Sequence, residues 1–143
     1  MPKFGKSSMS KLRTTHPDLQ TLFQVVVKYF DCTVVYGNRT TEEQQALYAQ
    51  GRTKPGGIVT NCDGVKNKSK HQGGNAVDAV PYPIDWSDTN RMKYFAGFVI
   101  GIARILKDQG IIDSEIRSGY DWDGDTEVKD TNFIDLPHFQ IQN

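Results

Sequence analysis

The chain has 143 residues, 37% of them hydrophobic, with 17 Lys plus Arg against 17 Asp plus Glu. That length suits one domain around one core, and the charge balance leaves no overall field to draw the chain to nucleic acid or to an anionic membrane, so neither is expected as a partner. No stretch is apolar and long enough for a signal-peptide core or a bilayer span, so the protein is expected to be made soluble in the cytoplasm.

Leu19, Leu22, Phe23, Val26 and Val27 recur at helical spacing behind Pro17, which predicts a helix over 16–30. The β-branched run 32–36 reads as a strand closed by Gly37. Cys32 in that run and Cys62 in a polar stretch are expected to be free thiols, because cytosolic disulfides are rare. Thr40 and Glu43 hold capping-box spacing ahead of 44–50, a short second helix with Gly51 as its stop. Residues 52–72 are rich in Gly, Lys, Asn, Thr and Ser and predict a long exposed loop of the kind that often carries function. A strand over 75–80 stops at Pro81, and Asp88 or Thr89 caps a third helix running to Gln109, with Gly110 after it. Strands over 111–116 and 138–141 complete the chain, separated by an acidic loop at 120–130. The expected class is α+β with a small sheet.

Asp78 lies inside the 75–80 strand among Ala76, Val77, Ala79 and Val80, so both faces there are apolar and the strand should be buried. A carboxylate in that setting needs a cation, either a Lys or Arg side chain or a metal ion. His71 stands at the strand's entry, and His138 opens the last strand after Pro137. Two His and one Asp make a ligand set suited to zinc with a position left for water, although isolated His and Asp are more often hydrogen-bonded structural groups. Spacing by itself leaves both readings standing.

The pattern Ser69-x-His71-x-x-Gly74-x-Ala76-x-Asp78 together with Asp135-x-x-His138 resembles the D-alanyl-D-alanine carboxypeptidase superfamily, and within it the phage endolysins called L-alanyl-D-glutamate peptidases. The similarity continues in the same order through Gly37-Asn-Arg39-Thr40 with Gln44, the segment 48–56, the segment 81–86, and Asp121-Trp-Asp-Gly-Asp125. Many carboxypeptidase relatives carry Glu two residues before the last His; Asp135-Leu-Pro-His138 follows the endolysin form instead.

The resemblance implies a single catalytic domain over 1–143 with a small antiparallel sheet packed against helices, the fold of the D-Ala-D-Ala carboxypeptidase and hedgehog type. It implies one zinc ion per chain on His71, Asp78 and His138, and Asp135 as general base. Arg39 is implied as a catalytic group that stabilises an oxyanion or holds a substrate carboxylate; its structural alternative is a salt bridge pinning the loop before the second helix. The implied function is that of a zinc metallopeptidase hydrolysing the stem peptide of bacterial peptidoglycan between L-alanine and D-glutamate. It would act on the cell wall as a monomer. The alternatives are a carboxypeptidase that trims terminal D-alanine and a non-catalytic zinc-containing wall-binding module, the latter disfavoured by the presence of Asp135 with all the ligands.

The remaining features take plainer readings. Ser69 is read as a turn residue ahead of a ligand-orienting one. His16 is expected at the surface. Asp121, Asp123, Asp125 and Glu127 alternate as in a calcium loop, but Thr126 stands where Gly is needed and no bidentate Glu closes the loop, so calcium is not favoured. Trp86, Tyr120 and Trp122 either line a groove for a wall peptide or pack the interior. No Gly-x-Ser-x-Gly occurs, so a serine hydrolase is unsupported.

Overall fold

Apolar periodicity decides most of the architecture. A computed structural model describes residues 1–142, with α1 at Lys6–Leu12, α2 at Pro17–Tyr29, β1 at Cys32–Tyr36, α3 at Thr41–Ala49, β2 at Ala76–Pro81, α4 at Thr89–Asp108, β3 at Ile116–Gly119 and β4 at Asp135–Ile141. The strands form one antiparallel sheet in the order β1-β2-β4-β3. Leu22, Phe23 and Val26 of α2 and Phe95 and Val99 of α4 meet Val34, Val77 and Phe139 of the sheet in one buried cluster. Phe139 is central to it, with the rings of Phe23 and Phe95 edge-on at 5.4 and 6.1 Å.

Strand periodicity then places the polar residues. Val77 and Ala79 turn into the helix-covered core, so Asp78 between them turns to the opposite face. Phe139 does the same for its neighbour His138 on β4. Asp78 and His138 are also register partners across β2 and β4, which puts both side chains side by side on the face away from the helices.

The structure departs from the sequence reading in four places. Helix α1 was not foreseen, because Lys6–Leu12 holds only two apolar residues, Met9 and Leu12, and no repeat. It is fixed by tertiary contact: the Ser8 hydroxyl accepts the Val34 N–H at 3.1 Å, and Leu12 is fully buried. The strand expected over 111–116 instead begins at Ile116. The Ile111-Ile112 pair closes α4, with Ile111 N–H donating to Leu106 O at 2.9 Å and Gly110 N–H to Lys107 O at 3.0 Å around Gly110 at φ 73°. Strand β4 starts at Asp135, ahead of His138. His16, expected at the surface, is half-buried as the N-cap of α2, its Nδ1 accepting the Asp18 N–H at 3.0 Å.

The segment 52–72 carries no helix or strand of its own beyond a bridge between Gln50 and Lys54. Cys32 and Cys62 are free. Among the described residues no helix is long and apolar enough to cross a membrane.

Candidate metal centre

The long loop delivers His71 to the pair that the sheet has already placed. His71 Nε2 lies 3.0 Å from Asp78 Oδ1, and His138 Nδ1 lies 3.3 Å from the same oxygen. Each ring's other nitrogen is held by a carbonyl: His71 Nδ1 is 3.0 Å from Gly37 O, and His138 Nε2 is 2.9 Å from Gln140 Oε1. A carbonyl oxygen only accepts, so the outer nitrogens carry protons, and in the neutral rings the inner nitrogens present lone pairs toward the carboxylate, as metal ligands do. A buried carboxylate flanked by two imidazoles calls for positive charge between them, which a bound metal ion or protons on the rings can supply. The ligand atoms of His71, Asp78 and His138 all lie within 4.8 Å of one another, close enough to hold a metal ion.

Burial by itself would raise the Asp78 pKa, but its hydrogen bonds and electrostatic contacts with His138 and His71 outweigh burial and hold it far below the carboxylate range. For His138 burial disfavours the charged ring, and the Asp78 carboxylate outweighs it and raises the pKa. The residues fit a divalent metal, and two neutral imidazoles with one carboxylate are a donor set that zinc favours.

Asp135 begins β4, with Oδ2 3.9 Å from His138 Nδ1. Burial and then the Asp78 charge raise its pKa. Its backbone is fixed by close packing against Gly119 of β3, where an added Cβ would fall 2.1 Å from Asp135 O. Arg39 follows β1; its N–H donates to His71 O at 2.9 Å, its Nη1 to Gln44 Oε1 at 2.7 Å, and its guanidinium lies over the Tyr36 ring at 5.5 Å. Among the described residues no carboxylate comes within ion-pair distance of Arg39, so a hydrogen bond and a ring contact stand where the structural alternative placed a salt bridge.

These groups share one cleft of about 540 Å³, lined by Arg39, His71, Asp78, Asp135 and His138 and walled in part by Trp122 and Phe133. The Trp122 ring stacks on Phe133 at 6.4 Å and stands 5.3 Å from the His138 ring, while its Nε1–H donates to Phe133 O at 2.6 Å. Of the aromatic candidates only Trp122 reaches this cleft: Trp86 borders a separate hollow with Pro83, Ile84 and Arg91, and Tyr120 packs toward α4. Ser69 accepts the His71 N–H at 3.2 Å, a local turn contact.

Two groups take roles that the sequence reading did not assign, although Gln44 stands in the matched Arg39-Thr40 motif. Gln140 orients His138, and fully buried Gln44 donates to Thr60 Oγ1 at 3.1 Å and Cys62 O at 2.8 Å while accepting from Arg39. Neither role follows from spacing: the motif includes Gln44 without showing what it binds, and Gln140 stands in no motif. In the acidic loop, carboxylate oxygens of Asp121, Asp123 and Asp125 also come within 4.8 Å of one another, and Thr126 takes φ 72° where glycine is usual.

The family model of the phage L-alanyl-D-glutamate peptidase matches residues 1–142. The chain is 31% identical over 133 residues to the L-alanyl-D-glutamate peptidase of Escherichia phage T5, covering 90% of this chain and 87% of that protein. It is 33% identical over 114 residues to the peptidoglycan L-alanyl-D-glutamate endopeptidase CwlK of Bacillus subtilis strain 168, covering 80% of this chain and 62% of CwlK. Among solved structures, the L-Ala D-Glu endopeptidase ChiX of Serratia marcescens shares the fold with a TM-score of 0.62 at 20% identity, over 98% of this chain and 90% of that one. The chain therefore belongs to the phage L-alanyl-D-glutamate peptidase family.

Proposed function

We propose that the protein is a zinc endopeptidase that hydrolyses the bond between L-alanine and D-glutamate in peptidoglycan stem peptides, working as a monomer on the cell wall. The observation that carries this reading is the pair of imidazoles whose outer nitrogens are pinned by Gly37 O and Gln140 Oε1, leaving their inner nitrogens on Asp78 at the base of an open cleft. His71, Asp78 and His138 would hold the metal ion. Zinc bound there supplies a Lewis acid that polarises the scissile carbonyl and lowers the pKa of water to about 7.

The chain's own groups supply the rest. Asp135 lines the cleft next to His138, and its raised pKa suits a carboxylate that takes a proton from the attacking water and passes it to the leaving amino group. Arg39, held by Gln44 and by His71 O, offers a permanent charge to the carbonyl oxygen as it becomes anionic. Trp122 and Phe133 form an apolar wall that limits water at the reacting bond.

Metal analysis and chelation test the reading. The purified protein should contain about one zinc ion per chain; a chelator in excess should abolish wall lysis, and added zinc should restore it. Full activity in metal-free protein would reject it.

A further inference from the structure

Charge in this neutral chain is sorted between two segments of the cleft wall. Residues 52–70 carry Arg52, Lys54, Lys66, Lys68 and Lys70 against one acid, Asp63, whereas residues 121–135 carry six acids against Lys129. Lys68 and Lys70 line the cleft directly before His71, and Trp122, Phe133 and Asp135 line it from the acidic segment. A ligand entering between them meets positive charge on one lip and negative charge on the other.

Arg52 of the basic lip is engaged by the Tyr48 and Thr60 carbonyls and by the Tyr48 ring, whereas Lys68 and Lys70 keep their charge for the cleft. Asp63, the lip's own acid, is committed to the backbone, with Oδ1 accepting the N–H groups of Val65, Lys66 and Asn67 at 2.9, 3.0 and 3.0 Å. Among the described residues no ion pair holds Lys68 or Lys70, and both side chains are exposed. The lip is nonetheless built: Gln44 holds it at Thr60 and Cys62, Gln72 Nε2 donates to Gly64 O at 3.0 Å, and Gln72 Oε1 accepts the Ser69 N–H at 2.9 Å. Two unpaired ammonium groups are thus carried on a fixed segment beside the metal ligand His71.

The stem peptide supplies a matching group. Its D-glutamate continues the chain through the γ-carboxyl, so the residue whose nitrogen leaves bears a free α-carboxylate on the carbon next to that nitrogen. We propose that Lys68 and Lys70 form the subsite for this α-carboxylate, a specificity determinant on the leaving-group side of the cut; the inference rests on the L-alanyl-D-glutamate reading above. It follows that walls whose D-glutamate is amidated are poorer substrates.

Two soluble stem peptides differing only in α-carboxylate against α-carboxamide provide the test, with zinc-loaded full-length protein. The carboxylate peptide should have about tenfold higher kcat/KM, the combined worth of two solvent-facing ion pairs, carried by KM and shrinking as salt is raised. In the Lys68→Gln/Lys70→Gln variant the two peptides should converge, and Lys68→Glu/Lys70→Glu should favour the carboxamide. Equal cleavage of both peptides by the wild type, or a preference that survives both double variants, overturns the subsite while leaving the endopeptidase reading intact. If neither peptide is cut between L-alanine and glutamate, the endopeptidase reading falls and the subsite with it.

Discussion

Asp78, His71 and His138 converge on one point, and the carbonyls behind the two rings hold that arrangement in place. Gln140 is the clearest case: replacing it with Leu removes the acceptor that holds the His138 tautomer and should weaken zinc binding about 10- to 100-fold, measured by competition with a chromogenic chelator. Unchanged affinity would mean that Gln140 is a bystander. Asp135→Asn separates chemistry from metal binding, because Asp135 sits at 3.9 Å from His138 Nδ1 without being one of the clustered ligands. The variant should retain its zinc by elemental analysis and lose roughly a hundredfold to ten-thousandfold in rate; near-normal turnover would reject its role as base. At this scale Asp78 was legible because a carboxylate inside an apolar strand needs a cation, and the two histidines were legible through the motif around them. The Gly37 carbonyl was not, since any residue supplies a backbone oxygen.

Elements carry those residues into place through contacts that leave little trace in sequence. The turn after β1 must pass under α1, and an added Cβ at Gly37 would fall 2.2 Å from Lys11 O. Gly37→Ala should therefore destabilise the fold by about 1–3 kcal/mol through overpacking, seen in urea unfolding, and should also loosen zinc by displacing the acceptor of His71. Helix α2 is tied to the segment between α4 and β3 by Asp18, whose Oδ2 accepts the N–H groups of Asp113 and Ser114 at 3.2 and 2.9 Å. Burial would raise the Asp18 pKa, but the Ser114 and Asp113 hydrogen bonds outweigh it and lower it. A carboxylate with a depressed folded-state pKa stabilises above its unfolded pKa, near 3.9, and loses that contribution as pH falls through the folded value. Asp18→Asn should therefore cost on the order of 1 kcal/mol at neutral pH, and the deficit should shrink as pH falls below the unfolded carboxyl pKa; a deficit independent of pH would show that ionisation is not its source. Helix α2 was legible because its apolar residues repeat at helical spacing, and α4 because Asp88 caps its start and Gly110 follows its end. Helix α1 lacks that repeat, and Ile111-Ile112 resembles a strand start although it closes a helix.

In the whole molecule, a four-stranded sheet keeps one face for the core and gives Asp78 and His138 the other, while a pinned 52–72 segment brings His71 and the basic lip to the same cleft. Long-range convergence of this kind is invisible in spacing, since 60 residues separate Asp78 from His138; the motif resemblance anticipated the meeting, and the sheet register provides the physical reason for it. Zinc chemistry is indifferent to which peptide enters, so the bond cut is set by the cleft walls. Mass analysis of the ends released from purified peptidoglycan tests that choice directly. Cleavage should expose the amino group of D-glutamate and leave L-alanine on the glycan as the wall suspension clears. Release of free D-alanine as the only product, with the wall network intact, would contradict it and make this protein a carboxypeptidase.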